Sequence, residues 1–364
     1  MGNLAQFTGY EIMTKTMTIA VAAMATSALA LTACGSNKAG GEQAAGGQIR
    51  IVGSSTVYPF TTAVAEAFMK ANPGVSITVE STGTGAGAKL FCEGVGASFP
   101  DALNASRALK ASEYETCAKN GVKQVIEVPV GIDGLTFIQA KSDAPLNLTV
   151  ADIYKALAAN PFGKGPNTAK TWRDVNPALP AIAIRVMGPP TTSGTRDSLA
   201  DLILEKGCDT DASMQALKKS DEKAHKTACT TIRDDGAYVE AGENDNLLVQ
   251  KVSAEPGTLG VLGFSYLEEN ADKVTPVSLA GVSPTEETIA NLSYPGSRKL
   301  YVYLKGEHMA AKPKLKDFIA YFATLWGKGG ELEKRGLVPF GGADAEGAKA
   351  QAAALKPLDP STLK

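Results

Sequence analysis

The chain has 364 residues, of which 44% are hydrophobic and 20% charged, and its net charge is −2. This composition is typical of a globular protein, and the length is sufficient for two lobes with separate hydrophobic cores. The near-neutral charge and the lack of a Lys/Arg run argue against nucleic acid as a partner.

The N-terminal residues are typical of an export signal rather than of the fold. Lys15 precedes an apolar, alanine-rich run from Met17 to Leu31 that is too short to span a membrane. The following Leu-Thr-Ala-Cys34-Gly resembles the bacterial lipobox, in which the signal is removed before a cysteine that is then acylated. The alternative is an ordinary signal peptide with a chance cysteine. We expect residues 1–33 to be a lipoprotein-type signal peptide, Cys34 to be the lipidation site, and 34–47 to be a flexible tether in the periplasm or at the cell surface.

Four cysteines remain in the exported part of the chain: Cys92, Cys117, Cys208 and Cys229. An even number in an exported protein predicts two disulfides, for which three connectivities are possible. None of the spacings resembles a zinc site, and the chain has only two histidines. We therefore expect no metal and no cofactor.

From Gln48 onward, short β-forming runs alternate with helical patterns. The predicted strands are Ile49–Val52, Val75–Val79, Val125–Val130, Gly134–Ala140, Ile182–Val186, Leu259–Phe264 and Leu300–Leu304. The predicted helices are Thr56–Ala71, Gly85–Glu93, Ser112–Lys119, Leu148–Leu157, Thr195–Lys206 and Pro313–Trp326. This order predicts an α/β fold with largely parallel strands, followed by a peripheral Ala/Lys-rich tail at residues 346–364.

Three of these helices begin with small hydroxyl side chains that follow a strand. The segments are Gly53-Ser-Ser-Thr-Val-Tyr-Pro59, Glu80-Ser-Thr-Gly-Thr-Gly-Ala-Gly-Ala-Lys89 and Gly188-Pro-Pro-Thr-Thr-Ser-Gly-Thr-Arg-Asp-Ser-Leu199. Free N–H groups at a helix start favour an anion, and ligands of α/β sheets bind beyond the carboxyl ends of strands. The three starts together indicate an oxyanion site, although each could be an ordinary N-cap, with Ser193 or Thr192 as the cap of the third.

Two arginines lie close to these segments in the sequence. Arg107 ends the short polar segment Asn104-Ala-Ser-Arg107, and Arg196 lies within the third helix start. Arginine presents a fork of N–H donors that suits a tetrahedral oxyanion. The alternative for both residues is a solvated surface charge.

These segments, together with Asp235-Gly-Ala-Tyr-Val-Glu-Ala-Gly-Glu-Asn-Asp-Asn246, resemble the phosphate-binding proteins of high-affinity phosphate ABC importers. The similarity extends from about Gln48 to Phe340. The resemblance implies a type II periplasmic-binding-protein fold, in which two α/β lobes with mixed, mostly parallel sheets are joined by two hinge crossovers and close over one phosphate. It also implies a receptor without enzymatic activity, which we expect to be a monomer, that delivers inorganic phosphate to the permease subunits of the importer.

The two-lobed fold implies a division of the chain. We expect the crossovers near Pro129–Asp133 and Gly257–Gly263, which gives lobe one residues 48–130 plus 262–345 and lobe two residues 131–261. Because a disulfide between lobes would oppose hinge motion, this division favours the local pairs Cys92–Cys117 and Cys208–Cys229.

The resemblance also implies which residues contact phosphate. The matching positions in this chain are Ser55, Thr56, Val57, Thr84, Ser193, Gly194 and Thr195, to which we add Ser106, Arg107, Arg196 and Asp197 as candidates. Well-known members carry an aspartate that accepts the phosphate proton where this chain has Arg107, and many carry an arginine where it has Pro189-Pro190. We therefore expect Arg107 and Arg196 to balance the anion's charge and Asp197 to accept its proton, with Asp133 second. Asp197 could instead be an ordinary first-turn helix carboxylate.

Two other functions compete with this interpretation. A receptor for another tetrahedral oxyanion, such as sulfate, would use the same mechanism. A secreted phosphatase or serine hydrolase would use Ser193 or Ser55 as nucleophile, and serine needs a base within reach. His225 and His308 lie in polar segments away from the three loops, so we expect no enzyme.

Overall fold

The computed structural model describes residues 48–191, 193–242 and 244–363. The predicted signal peptide, the tether and Cys34 lie outside these residues. Among the described residues, no helix has both the length and the apolar character needed to cross a bilayer.

Strands and helices alternate along most of the chain. The strands are β1 (Gln48–Gly53), β2 (Ser76–Ser81), β3 (Ala102–Ala105), β4 (Val125–Ala140), β5 (Asn147–Leu148), β6 (Val186–Gly188), β7 (Tyr238–Glu240), β8 (Leu259–Gly263), β9 (Val274–Pro276), β10 (Ser278–Leu279) and β11 (Ser297–Lys305). The helices are α1 (Tyr58–Ala71), α2 (Thr84–Phe91), α3 (Ala111–Lys119), α4 (Val150–Leu157), α5 (Trp172–Val175), α6 (Gly194–Ser198), α7 (Glu205–Cys208), α8 (Ala212–Ser220), α9 (Glu222–Thr230), α10 (Asp245–Ala254), α11 (Phe264–Glu269), α12 (Glu286–Ala290), α13 (Gly306–Met309), α14 (Lys314–Ala323) and α15 (Gly342–Ala354). A π-helical stretch, Leu199–Leu204, joins α6 to α7. The mixed α/β class predicted from the sequence is confirmed.

Nine of the strands form one sheet, in the order β2-β1-β3-β11-β4-β8-β6-β7 with β9 also paired to β4. Residues 125–134 of β4 pair with β11, and residues 135–138 pair with β8. We call β2, β1, β3, β11 and the first part of β4 the first half-sheet, and the second part of β4 with β8, β6, β7 and β9 the second half-sheet. In the first, β1 is parallel to both β2 and β3, while β11 is antiparallel to its neighbours.

β4 is a single strand, whereas the sequence predicts two strands separated by residues 131–133. The pairing with β11 continues through these residues, with a register shift between Gly131 and Pro129. A Cβ atom at Gly131 would lie 2.6 Å from the side chain of Leu337, so this glycine allows close packing rather than a turn. Most β4 side chains are buried, as expected for a strand covered on both faces.

Strand pairing bears on where the chain passes between lobes. β4 leaves the first half-sheet after Gly134, and residues 259–263 and 274–276 pair with the second part of β4. The chain returns to the first half-sheet only with β11, which begins at Ser297. We therefore propose that the second crossover lies at residues 296–300 instead of Gly257–Gly263, so that lobe two comprises residues 135–296.

Both predicted disulfides are confirmed: Cys92 is bonded to Cys117 and Cys208 to Cys229. The first bond lies in a small core of its own, with Phe91, Leu103, Leu109 and Tyr303 among its members; the second belongs to the main core. Each bond joins cysteines within one proposed lobe, so neither restrains the lobes against each other.

The C-terminal residues pack against the first half-sheet instead of remaining peripheral. Ala348 and Ala352 of α15 are buried. Beyond the helix, Pro357 forms a bridge with Ile126, and the Leu358 N–H donates to the carbonyl of Val125 at 2.7 Å.

Lys305 is a fully buried lysine whose ionisation should affect stability. Its Nζ donates to the carbonyl of Gly94 at 2.6 Å and lies 4.9 and 5.6 Å from the ring centroids of Phe91 and Phe99. Burial lowers the pKa of Lys305 from 10.5 to about 8. The folded chain therefore releases this proton at a lower pH than the unfolded chain, so the penalty for the buried charge disappears as the pH rises through this interval.

We expect wild type to gain stability relative to Lys305→Met as the pH rises from about 8 to about 10.5, by up to about 3 kcal/mol. Urea unfolding of both proteins across this range measures the difference. Lys299→Met, on the same strand but partly exposed, serves as the control and should show a smaller pH dependence. A pH-independent difference between Lys305→Met and wild type would contradict the assignment.

Candidate anion-binding site

Two of the three predicted loops and the polar segment at residues 104–106 meet at the carboxyl ends of β1, β2 and β3. The carbonyl of Gly53 accepts from the N–H groups of Thr82 and Gly83 at 2.9 Å, and the N–H of Ser54 donates to the carbonyl of Asn104 at 2.9 Å. A Cβ atom at Gly87 would lie 2.5 Å from the Cα atom of Gly53. Because parallel strands end at one edge of the sheet, these bonds hold residues 54–57, 82–84 and 104–106 side by side.

The first-half loops present hydroxyl and amide groups at this edge. Thr84 Oγ1 lies 3.1 Å from Ser106 Oγ and accepts from the N–H of Ser106 at 3.1 Å. In the described part of the chain, the N–H groups of Ser55 and Thr56 donate to no acceptor. Val57 precedes α1 as its N-cap residue, with no side chain capping the helix. The loop is therefore rich in donors suited to an anion.

The third loop follows β6 and begins the helix that continues from α6 to α7. Ser193 is its N-cap: the Oγ atom accepts from the N–H of Thr195 at 3.2 Å. The N-cap alternative considered for Ser193 is therefore realised. Capping satisfies one of the free amides of this helix start and does not by itself exclude a ligand.

The third loop contacts the first loop across the two half-sheets. Ser55 Oγ donates to the carboxylate of Asp197, and Thr56 Oγ1 donates to the carbonyl of Gly194 at 3.1 Å. A Cβ atom at Gly194 would lie 2.7 Å from Thr56 Cα and 2.8 Å from the Ser55 carbonyl oxygen, so only glycine permits this approach. The structure thus brings together residues that are about 140 positions apart in the sequence.

Arg107 lies beside this cluster and binds a carboxylate of its own chain. Its two Nη atoms donate to the two carboxylate oxygens of Glu113 at 2.9 and 2.7 Å. Burial disfavours the charged guanidinium, but Glu113, with the charges of Asp201 and Glu222 nearby, holds the pKa of Arg107 above its usual value. The neighbouring Lys110 forms an ion pair with Glu222 of α9, which is a second contact across the half-sheets.

Arg196 packs against an aromatic ring. Its guanidinium lies 4.6 Å from the ring centroid of Tyr238, and Nη1 lies 3.5 Å from the carbonyl of Pro189 and 3.7 Å from Glu240. Burial raises the pKa of Tyr238 to about 12, so this ring stays neutral at physiological pH. The structure shows no contact between Arg196 and the Ser55–Asp197 pair within the described residues.

Sequence reasoning missed Arg298. Its Nη2 donates to Thr56 Oγ1 at 2.9 Å and to Ser198 Oγ at 2.7 Å, while Nε contacts Asp133 at 3.1 Å and Nη1 contacts Asp201 at 3.2 Å. The loops predicted from the sequence all follow strands, whereas Arg298 lies at the start of one. Since β11 is antiparallel to β3 and β4, its start lies at the edge where the parallel strands end. The signal that could have identified Arg298 is a charged residue at the start of a strand that runs antiparallel to its neighbours.

Neither histidine reaches the serines of these loops, and both are buried against carboxylates elsewhere. His225 Nε2 lies 2.8 Å from Asp209, and His308 binds Asp101 at 2.7 Å and accepts from the Gly96 N–H at 2.9 Å. Lys223 and Lys226, which flank His225 in the sequence, are exposed, whereas the imidazole of His225 is buried. His308 therefore supports the fold near α13.

One group among the described residues is compact enough to hold a metal ion: Cys208, His225 and Cys229. The two sulfurs are joined to each other in the disulfide. A disulfide sulfur is not a thiolate, so the group offers a single imidazole, which does not fit a zinc site.

Comparison with known proteins identifies the family of this chain. The sequence model of the PBP superfamily domain matches residues 38–324. This chain belongs to the PBP superfamily. The protein SphX of Synechococcus elongatus is 34% identical over 76% of this chain and 73% of its own length, and the phosphate-binding protein PstS of Staphylococcus saprophyticus is 30% identical over 85% and 86%. The resemblance inferred from the sequence is confirmed.

A solved structure supports the same family at the level of the fold. A possible phosphate binding protein from Planctomyces limnophilus superposes with a TM-score of 0.67 at 29% identity and covers 85% of this chain and 98% of its own. The predicted periplasmic-binding-protein fold is thereby confirmed. The individual phosphate contacts and the lobe boundaries remain proposals.

Proposed function

We propose that this protein is an extracytoplasmic receptor that captures inorganic phosphate between two lobes and delivers it to an ABC importer. The observation that carries the proposal is the meeting of the Ser55–Val57 loop with the Ser193–Asp197 helix start across the two half-sheets. Homologues named as phosphate-binding proteins along most of the chain support phosphate as the ligand.

The proposed contacts combine neutral donors with positive charge. The set comprises Ser55, Thr56, Val57, Thr84, Ser106, Arg107, Ser193, Gly194, Thr195, Arg196 and Asp197. Backbone amides at the strand ends and hydroxyls of the loops would surround the oxygens, and the two arginines would balance the charge. Asp197 would accept the phosphate proton.

The cellular setting is also proposed. Cleavage before Cys34 and acylation of its thiol and new N-terminus would hold the protein at the membrane, since two or more chains anchor durably where a single chain does not. The mature protein would act as a monomer and dock onto the permease subunits.

A catalytic role has little support from the geometry. Serine requires a neighbouring base to act as a nucleophile, yet Ser55 contacts Asp197, and Ser193 caps its own helix. Both imidazoles bind carboxylates elsewhere. We therefore propose that the protein binds phosphate without catalysing a reaction.

Titration calorimetry of the delipidated protein with phosphate, sulfate and arsenate tests the function. We expect tight binding of phosphate and arsenate and much weaker binding of sulfate. Equal affinity for sulfate would favour a general receptor for tetrahedral oxyanions, and no heat with any of the three would contradict the proposed function.

Binding should also close the lobes, because each lobe supplies only part of the donor set. We expect small-angle scattering to show a smaller radius of gyration in saturating phosphate than in buffer. An unchanged profile with calorimetrically confirmed binding would indicate a rigid site or a wrong division into lobes.

A further inference from the structure

We propose that Arg298 is a positioning residue of the anion site: by donating to the hydroxyl oxygen of Thr56 it directs the threonine proton towards another acceptor, and it ties this hydroxyl to the helix start of the other half-sheet. The inference rests on the proposed function and extends it to a residue outside the predicted contact set. Arg298 itself is not proposed to touch the anion.

The contacts of Arg298 fix its guanidinium on three sides. Nε and Nη1 face the carboxylates of Asp133 and Asp201 at 3.1 and 3.2 Å, and Nη2 donates to both Thr56 and Ser198. The residue is 9% exposed. Two carboxylates already compensate the one positive charge, so the group is poorly suited to neutralise an anion but well suited to orient its neighbours.

The direction of hydrogen bonding determines what Thr56 can do. A guanidinium has no acceptor, so the hydroxyl oxygen of Thr56 must accept from Nη2 at 2.9 Å. The single hydroxyl proton is then free for another partner, and it points to the Gly194 carbonyl at 3.1 Å. An anion oxygen bound beside the Thr56 hydroxyl would receive this proton in place of the Gly194 carbonyl. Without Arg298 the hydroxyl could rotate, and the donor would have to be reoriented at a free-energy cost on binding.

The same network joins the two half-sheets. Thr56 follows β1 in the first, whereas Ser198 and Asp201 lie on the helix that follows β6 in the second. Ser198 accepts from Arg298, and its single proton is directed to Asp133 at 2.7 Å, with the Gly194 carbonyl also within reach at 3.1 Å. Asp133 is opposite Arg298 on β4, beside the point where that strand changes half-sheets. Through Arg298, a change in the position of Thr56 would therefore affect the helix that begins at Gly194.

A double-mutant cycle on phosphate affinity tests the inference. We expect Arg298→Lys to weaken phosphate binding at least about 30-fold, and Thr56→Val, which removes the hydroxyl, by at least as much. In the Thr56→Val background, Arg298→Lys should cost no more than about threefold further, because its effect acts through the missing hydroxyl. Thr56→Ser should recover most of the affinity lost in Thr56→Val.

Arg185→Lys is the matched control. It makes the same substitution at an arginine that is paired with Glu255 and is outside the Arg298 network, and we expect its phosphate affinity to stay within about threefold of wild type. Circular dichroism and thermal melting establish that each variant is folded. If Arg298→Lys fails to fold, the comparison of Thr56→Val with Thr56→Ser still decides whether the hydroxyl donates to the anion, and wild-type affinity in Thr56→Val overturns the inference.

Other outcomes separate the inference from the function on which it rests. A folded Arg298→Lys protein with wild-type affinity, or independent effects of the two substitutions in the cycle, overturns the positioning role alone. A wild-type protein that does not bind phosphate overturns both.

Discussion

Replacing Gly194 with alanine is expected to weaken phosphate binding about 100-fold or more while leaving the fold intact. The added Cβ atom would lie 2.7 Å from Thr56 Cα and 2.9 Å from Thr56 N, distances that real Cβ atoms do not show. These neighbours are backbone atoms and cannot rotate away. The loop and the helix start would have to separate, which would open the site where the two lobes meet. Within α6 itself alanine favours the helix over glycine, which offsets part of the cost of the lost contacts, so the chain should still fold.

Gly85→Ala is the matched control for this experiment. Gly85 also lies in the first turn of a helix at the same edge of the sheet, but no atom lies within 4 Å of its Cβ position. We expect this variant to bind within a few-fold of wild type. Calorimetry measures both affinities, and scattering should show Gly194→Ala failing to reach the compact profile in phosphate. Wild-type affinity in Gly194→Ala would mean that the loops do not approach in the bound state as they do here.

The loops of the site could be predicted because their signals are local. Glycines and small hydroxyls that follow a strand are visible in a short window, and the carboxyl-end rule places such loops together without knowledge of the strand order. Which loop contacts which could not be predicted without the order of the strands in the sheet. Ser55 and Asp197 meet although β3, β11, β4 and β8 lie between β1 and β6 in the sheet, and no sequence spacing encodes that contact.

Arg298 and Arg107 show the limits of prediction in opposite ways. Arg298 escaped notice because its position depends on β11 being antiparallel. Arg107 was recognised, but its strongest partner is Glu113, whose carboxylate also accepts from the Lys110 N–H in the capping box of α3. A capping glutamate three residues after the N-cap is itself a local signal, so this pairing was within reach of the sequence.

Some elements were missed because their patterns are weak. α8 buries only Met214, and α9 buries only His225 and Cys229, so neither shows a clear apolar face. The alternating residues from Ile182 predicted a strand, yet the paired part, β6, begins at Val186, where its partners β7 and β8 are available. Strand limits depend on the neighbouring strand, which lies elsewhere in the sequence.

Selectivity against sulfate requires an acceptor for the phosphate proton, and the structure favours Asp197 for this role over Asp133. Near neutral pH phosphate retains a proton, whereas sulfate has none to donate. A buried carboxylate therefore repels sulfate and is left without a hydrogen-bond donor when sulfate is bound. Asp133 already accepts from Arg298 and Ser198 through the same oxygen, Oδ2. Asp197 accepts from Ser55 through Oδ2, and Ser55 belongs to the proposed contact set. We therefore propose that the remaining oxygen of Asp197 faces the anion.

Asp197→Asn should bring sulfate and phosphate affinities at least about tenfold closer, mainly by strengthening sulfate binding, because an amide can donate to the fully deprotonated anion. The alternative, a first-turn helix carboxylate, predicts a different result. Asp344→Asn controls for it, since Asp344 occupies the first turn of α15 far along the chain from the loops. If Asp197 acts only on its helix, both variants should lose a little stability and neither should alter the ratio of affinities. Competition calorimetry with sulfate and phosphate measures that ratio. An unchanged ratio in a folded Asp197→Asn protein would show that Asp197 does not accept the phosphate proton, and Asp133→Asn would then be the next substitution to measure.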